Sequence, residues 1–284
     1  MDAIVLYTRK RGIRFFRKLQ FPNTCINWTS RRESFLGQLK ARKNEYDNVL
    51  IIAHGSEKAI LTTTRLSSRK NYREYIREEE VGAFVNDFVF AVSCLTANEF
   101  GKKCVEAGCI SYLGYLDQIE WLFSSFPGPS SGVPKTVSNA LDTIIKHIFV
   151  EVLAVAYEEF LREPISVKVL RQRFSFMLEK RIAMLVDMTD DQIYETYGIK
   201  ISSSYYKKYF VNMVLLVLGR LNGTLQRLIC IGDDNYISAS YIKYKKAEGQ
   251  DEGSIKNELI NNSYYQSIEN EDYKRYLLGL VQNL

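Results

Sequence analysis

Two short pairs of residues in this chain carry groups suited to covalent chemistry. His54-Gly55 follows the apolar run Val49-Leu50-Ile51-Ile52-Ala53, and Ser93-Cys94 follows Phe88-Val89-Phe90-Ala91-Val92. Runs of this length and type read as buried strands of a parallel sheet, and open α/β sheets bind ligands beyond the carboxyl ends of such strands. An imidazole and a thiol are therefore expected at one rim. The chain has 2 histidines, His54 and His147. Only His54 follows a strand pattern, while His147 sits in a helical one. A thiolate attacks a carbonyl and an adjacent imidazole relays the proton, the division of labour that covalent acyl transfer requires. The developing oxyanion needs backbone N–H donors, and Gly55, without a side chain, lets its amide approach alongside that of Cys94. Together these residues read as a cysteine protease site, with Cys94 as nucleophile, His54 as acid/base and the amides of Gly55 and Cys94 as oxyanion hole.

The elements that must position these groups follow α/β grammar. A strand is expected over residues 3–7. A helix starts near Ser30, where Ser30-Arg31-Arg32-Glu33 fits a capping box and Phe35, Leu36 and Leu39 follow at helical spacing. After His54 a polar excursion through Ser67, Ser68, Arg69, Lys70 and Asn71 and the cluster Glu78-Glu79-Glu80 is expected to hold a helix and a loop. Thr96-Ala97-Asn98-Glu99 fits a second capping box, which predicts a helix through Phe100 and Val105 to a stop at Gly108. Cys94 would then lie just ahead of a helix N-terminus, whose dipole favours its ionisation. A further strand is expected over residues 109–114, followed by a Pro/Gly/Ser loop over 124–134. The period then turns helical from Thr136 to about Gly223, with a break at Pro164, before a last strand at Leu228-Ile229-Cys230-Ile231. The expected organisation is an α/β core carrying the His/Cys site over residues 1–135, a helical region with the last core strand over 136–238, and a polar C-terminal tail over 239–284.

Composition excludes several classes. With 284 residues, 46% hydrophobic and 25% charged, the chain resembles an ordinary globular protein. No apolar stretch is long enough to span a membrane, since the best, residues 144–157, is interrupted by Lys146, His147 and Glu151. The start, Met1-Asp2-Ala3-Ile4-Val5-Leu6-Tyr7, has neither basic leader nor cleavage site, so a cytoplasmic protein is expected. Five cysteines, Cys25, Cys94, Cys104, Cys109 and Cys230, form no disulfide framework, and Cys104 and Cys109 lack the second pair that zinc needs. Neither metal nor cofactor is expected. Net charge is +5, with eleven Lys/Arg against Asp2 and Glu33 in residues 1–43. That segment reads as solvated helix faces, or as a patch for an acidic partner; no nucleic-acid motif accompanies it.

The two runs, with His54 and Cys94 forty positions apart, together resemble the caspase-like (clan CD) cysteine peptidases. Phe90-Ala91-Val92-Ser93-Cys94-Leu95-Thr96-Ala97 followed by Ala107-Gly108-Cys109-Ile110-Ser111-Tyr112-Leu113-Gly114 is most similar to the CHAT and gingipain-like branch. There the cysteine strand leads into a helix and then an Ala-Gly turn. The run from Leu228 to Asp233 resembles that branch's late strand, with Asp234 where proline is usual. The likeness covers about residues 1–238. It implies a caspase-like fold, a mostly parallel central sheet flanked by helices with an added helical region, and an endopeptidase acting on a protein or peptide substrate in bacterial defence or cell death. It assigns Cys94, His54, Gly55 and the Cys94 amide the roles given above. Ser93 departs from the commoner alanine, and Gln-Ala-Cys-x-Gly is absent at Val92-Ser93-Cys94-Leu95-Thr96, so cleavage after aspartate is not implied. Relatives that cut after Arg or Lys line the first specificity pocket with acidic groups, which makes Asp117 a candidate substrate-binding residue. The alternative is a catalytically silent binding or scaffold module of the same fold, motivated by the basic segment and the long helical region. A nucleotide-binding domain lacks its motifs here, since neither Gly-x-Gly-x-x-Gly nor a phosphate-loop lysine occurs.

Overall fold

The computed structural model describes residues 3–7, 15–16, 25–27, 32–41, 48–63, 72–119, 133–201 and 204–283. Most of the basic N-terminal residues, the start of the Ser30 capping box, Ser67 to Asn71 and most of the Pro/Gly/Ser stretch lie outside them.

The strands are β1 (Ile4–Tyr7), β2 (Cys25–Asn27), β3 (Asn48–Ile52), β4 (His54–Gly55), β5 (Ala59–Thr63), β6 (Tyr72–Arg77), β7 (Phe88–Val92), β8 (Ser111–Tyr115) and β9 (Leu228–Gly232). Six of them form the main sheet in the order β2-β1-β3-β7-β8-β9. Five run parallel, and β9 closes the edge antiparallel to β8. This is an α/β fold on a mostly parallel sheet. Every residue of β1, β3, β7 and β8 is buried, which explains why their sequences are mostly apolar instead of alternating, with Asn48 and Ser111 as polar exceptions.

The two faces of the sheet carry different layers. Val5, Leu50, Ile52, Phe88, Phe90, Val92 and Leu113 share one core with the long helices. Ile4, Leu6, Val49, Ile51, Val89 and Ala91 pack instead with Phe35 and Leu39, the hairpin residues Ile60, Tyr75 and Ile76, and Phe100 and Cys104. On this second face lie α1 (Arg32–Ala41) and α2 (Phe100–Glu106). The first face is covered by α3 (Lys135–Arg162), α4 (Val167–Met184) and α6 (Ser204–Gln226), with α5 (Asp190–Tyr197) between the last two. Pro164 falls in the break between α3 and α4, and Ser166 caps α4 by accepting the Val169 N–H. Among the described residues no helix is long and apolar enough to cross a membrane.

Three expectations need correction. The segment after His54 forms an antiparallel sheet β4-β5-β6, followed by a 3₁₀ helix over Glu78–Phe84, where a helix and a loop were expected. Its inward residues Ile60, Tyr75 and Ile76 bury on α1 and the sheet, while the intervening polar residues face solvent. Helix α2 begins at Phe100, later than the Thr96 box predicts. In the expected tail, 239–283 are helical and docked: α7 (Ser240–Ala247), α8 (Glu252–Ile260), α9 (Ser263–Ser267) and α10 (Glu271–Asn283) insert Ile242, Ile255, Leu259, Tyr265, Tyr273, Leu277 and Val281 into the first core.

Buried polar groups fasten that end to the sheet. Asn48, at the start of β3, is fully buried and donates from Nδ2 to Ser238 Oγ at 2.8 Å and Ser240 Oγ at 3.2 Å. Its Oδ1 accepts from the Tyr236 hydroxyl at 3.4 Å. The Asp233 carboxylate accepts the amides of Asn235 and Glu269, both at 2.9 Å. Replacing Asn48 by alanine removes three buried side-chain hydrogen bonds, so Asn48→Ala is expected to lose about 1–3 kcal/mol of stability. A lowered urea midpoint at unchanged slope checks this; an unchanged midpoint contradicts it.

Candidate active site

The register of two strands brings the predicted site residues together. In the parallel β3/β7 ladder Ile52 faces Val92, and the Ala53 N–H extends the ladder by donating to the Val92 carbonyl at 3.4 Å. His54 and Cys94 come next but one after that last pair on each strand. There the first chain leaves the main sheet, because His54 and Gly55 pair with Leu61 and Ile60 of β5. Gly55 is the crossing point. A Cβ built on it would collide with the Cys94 carbonyl oxygen, Ser93 Oγ and Thr96 Cγ2. Glycine is needed here for close approach to the Cys94 carbonyl and the Ser93 and Thr96 side chains. His54, Gly55 and Cys94 are all half-buried.

Cys94 opens a turn that runs to Glu99, tied to its neighbours on both sides. The Leu95 and Ala97 amides donate to the carbonyls of Asp117 and Tyr115 at 3.2 and 3.1 Å, and the Phe100 amide donates to the Glu57 carbonyl at 2.6 Å. Leu95 takes a left-handed backbone, φ 63°, which a branched side chain rarely adopts and which the surrounding bonds must impose. Thr96 does not cap a helix. Its hydroxyl donates to the Ser93 carbonyl at 3.2 Å, and Glu99 stands at the N-cap of α2 without a side-chain bond. The helix dipole expected behind Cys94 is thus displaced by a six-residue turn. In its place the Ile119 N–H donates to Cys94 Sγ at 3.2 Å. A donor aimed at sulfur favours the thiolate over the thiol.

Desolvation pushes buried Cys104 and Cys109 well above the ordinary cysteine range, and Cys230, half-buried like Cys94, up to about 11. Cys109 also donates from Sγ to the Asp87 carbonyl at 3.1 Å. These are inert as nucleophiles at neutral pH. Nearby, the Tyr115 phenol is raised by burial first and by the Cys94 sulfur second, so it stays protonated. Its hydroxyl and Ser93 Oγ are fully buried and have no hydrogen-bond partner among the described residues.

Asp117 lies on the segment that follows β8 and is exposed at the rim. Its carbonyl takes the Leu95 amide and its Oδ1 takes the Gln118 amide at 2.8 Å. Gly55, Cys94 and the Asp117 backbone thus meet around one turn, and His54 precedes Gly55 on β4. His147 is on α3, with Nε2 3.0 Å from Glu151 Oε1 and its ring edge-on to Tyr197. Among the described residues no group of three or more His, Cys, Asp or Glu could hold a metal ion.

Two contributors were missed from sequence. The Ile119 N–H is a backbone donor and carries no residue-type signal. Asn98 was absorbed into the Thr96 capping pattern, yet its carboxamide Nδ2 donates to the Leu95 and Leu116 carbonyls at 3.1 and 2.9 Å. Because Gly55 leaves no space for a methyl, Gly55→Ala is expected to cost about 1–3 kcal/mol and to shift the Cys94 turn. Thermal unfolding and Cys94 alkylation measured together check it; wild-type values for both would contradict the packing described.

No protein-family model matches this sequence, and no curated protein matches it significantly.

Proposed function

We propose that the protein is a cysteine endopeptidase of the caspase-like type, with Cys94 as nucleophile and His54 as acid/base. The observation that carries this reading is the meeting of two in-register strand ends, at which Gly55 packs against the Cys94 carbonyl and the Ser93 side chain. The Ile119 N–H on Cys94 Sγ supports it, because the thiolate is the attacking species. The five parallel strands with an antiparallel sixth suit a caspase-like sheet.

In this reading Cys94 Sγ bonds to the scissile carbonyl carbon as its proton passes to His54. The oxyanion faces the amides of Gly55 and Cys94. Collapse breaks the C–N bond, and His54 returns the proton to the leaving amine. Water then adds to the thioester and gives one proton to His54. The C–S bond breaks, the acid departs and the thiol is restored. The exposed carboxylate of Asp117, beside the turn, suits a substrate with a basic side chain before the cut.

Peptidyl acyloxymethyl ketones test the proposal. With a lysine or arginine before the reactive group, the probe is expected to label Cys94, identified by peptide mass spectrometry. His54→Ala is expected to slow labelling about 10²–10⁴-fold. Asp117→Asn is expected to slow the basic probe while leaving a neutral one unchanged. Labelling that persists at the wild-type rate in folded His54→Ala would defeat the assignment.

A further inference from the structure

We infer that Asn98 is a positioning residue: its carboxamide ties the Cys94 turn to the segment after β8, and so holds the Ile119 N–H on the Cys94 sulfur, where that donor stabilises the thiolate. The inference takes Cys94 as the reacting sulfur of the proposed site and concerns how that sulfur is kept ionisable.

The geometry starts from Asn98. It lies four residues past the sulfur, half-buried, and its Nδ2 spends its two protons on two carbonyls from different parts of the chain, Leu95 at 3.1 Å and Leu116 at 2.9 Å. The Asn98 backbone N–H also donates to the Leu95 carbonyl, at 3.1 Å. The carbonyl that follows the left-handed Leu95 φ is therefore held twice, which keeps the turn in a conformation it would otherwise leave. Neither an aspartate nor an aliphatic residue offers two donors at that point.

The Leu116 end of the clamp sets the direction of the Ile119 amide. Leu116 is fixed from the opposite side by its own N–H donating to the Arg227 carbonyl at 2.9 Å. Asp117 Oδ1 then accepts the Gln118 N–H at 2.8 Å. Ile119, whose side chain is fully buried, presents its N–H to Sγ at 3.2 Å. The segment is thus tied by Asn98, by the Leu116 N–H on Arg227, by the Asp117 carbonyl on the Leu95 amide, and by the Ile119 side chain in the core.

The sulfur has need of a dedicated donor. The charged and titratable groups on the described elements around it are His54 from β4, Tyr115 from β8, Asp117 from the following segment, and Glu99 with its ion-pair partner Lys58 at the rim. The carboxylates of Asp117 and Glu99 oppose a second negative charge nearby, and buried Tyr115 contributes no charge. Helix α2 starts too late, and is too short, to supply the field that the Thr96 pattern suggests. A backbone N–H cannot titrate, so it favours the thiolate at every pH, provided that its position is held.

The test reads the pH dependence of iodoacetamide alkylation at Cys94 in the full-length protein, resolved by peptide mass spectrometry. Four variants are compared: Asn98→Ala, Asn98→Ser, Ile119→Pro, which deletes the N–H, and Ile119→Leu, which keeps it. Wild type and Ile119→Leu are expected to share one midpoint. Asn98→Ala and Ile119→Pro are expected to move it up by about one pH unit and to slow alkylation at pH 7 about tenfold, with Asn98→Ser, which keeps one donor, in between. Circular dichroism and thermal unfolding establish which variants fold. Should Ile119→Pro not fold, the two Asn98 variants decide. A merely structural role for Asn98 lowers the unfolding temperature without moving the midpoint, and that result overturns the inference. Alkylation requires no peptide cleavage, so the two readings fail separately. A moved midpoint in a protein that ignores peptide probes supports the clamp and counts against the endopeptidase; an unmoved midpoint in one that cleaves peptides sinks the clamp alone.

Discussion

The close approach of Gly55 to the Cys94 carbonyl and the Ser93 side chain is the constraint on which the rest of the site depends. Strands β3 and β7 are fully buried and in register, so their carboxyl ends reach the rim at the same level. Beyond that level the two chains part, one into the β4-β5 hairpin and the other into the Cys94 turn. They can part without separating only because residue 55 has no side chain. A hydrophobic sheet thereby becomes a device for holding an imidazole-bearing and a thiol-bearing segment side by side. The sheet itself is rigid because both of its faces are packed, one on long helices and one on α1, α2 and the hairpin.

Parts of this arrangement were plain in the sequence for a physical reason. A strand buried on both faces is apolar wherever no partner satisfies a polar group, and Phe88 to Val92 and Val49 to Ile52 are apolar, while buried Asn48 is held by Ser238 and Ser240. Nothing in their surroundings could override that. The elements misjudged were those whose form depends on distant partners. Thr96-Ala97-Asn98-Glu99 has the composition of a capping box, but Thr96 is fully buried with its hydroxyl on Ser93, and the Phe100 amide goes to Glu57. Local propensity lost to tertiary hydrogen bonds. The β5-β6 hairpin was obscured because β6 carries exposed Arg73, Glu74 and Arg77, and only Tyr75 and Ile76 of that strand are buried. In the last forty-odd residues the apolar positions are sparse, and each helix there relies on a core built by residues far earlier in the chain.

The candidate site was legible in its side chains and illegible in its backbone. His54, Gly55 and Cys94 announce themselves by type and by place after a strand. The donor on the sulfur is the amide of Ile119, and the oxyanion donors in the proposed reaction are amides too. Sequence cannot reveal an N–H direction. It left one trace, Asn98, a polar residue with no need to be there for helix capping, whose carboxamide joins two carbonyls. The other cysteines complete the contrast. Buried Cys104 and Cys109 and half-buried Cys230 are held as thiols by desolvation, whereas Cys94 has a backbone donor on its sulfur.

The central claim is that the His54 imidazole and the Cys94 sulfur share one microenvironment. Having only His54 and His147 in the chain makes a direct measurement possible, with His147 as the internal control. Imidazole nitrogen chemical shifts, followed by NMR across a pH titration of wild type and Cys94→Ala, report both rings at once. The account predicts that the His54 titration midpoint moves on loss of the sulfur while that of His147 stays in place. Superimposable His54 curves in the two proteins would contradict it.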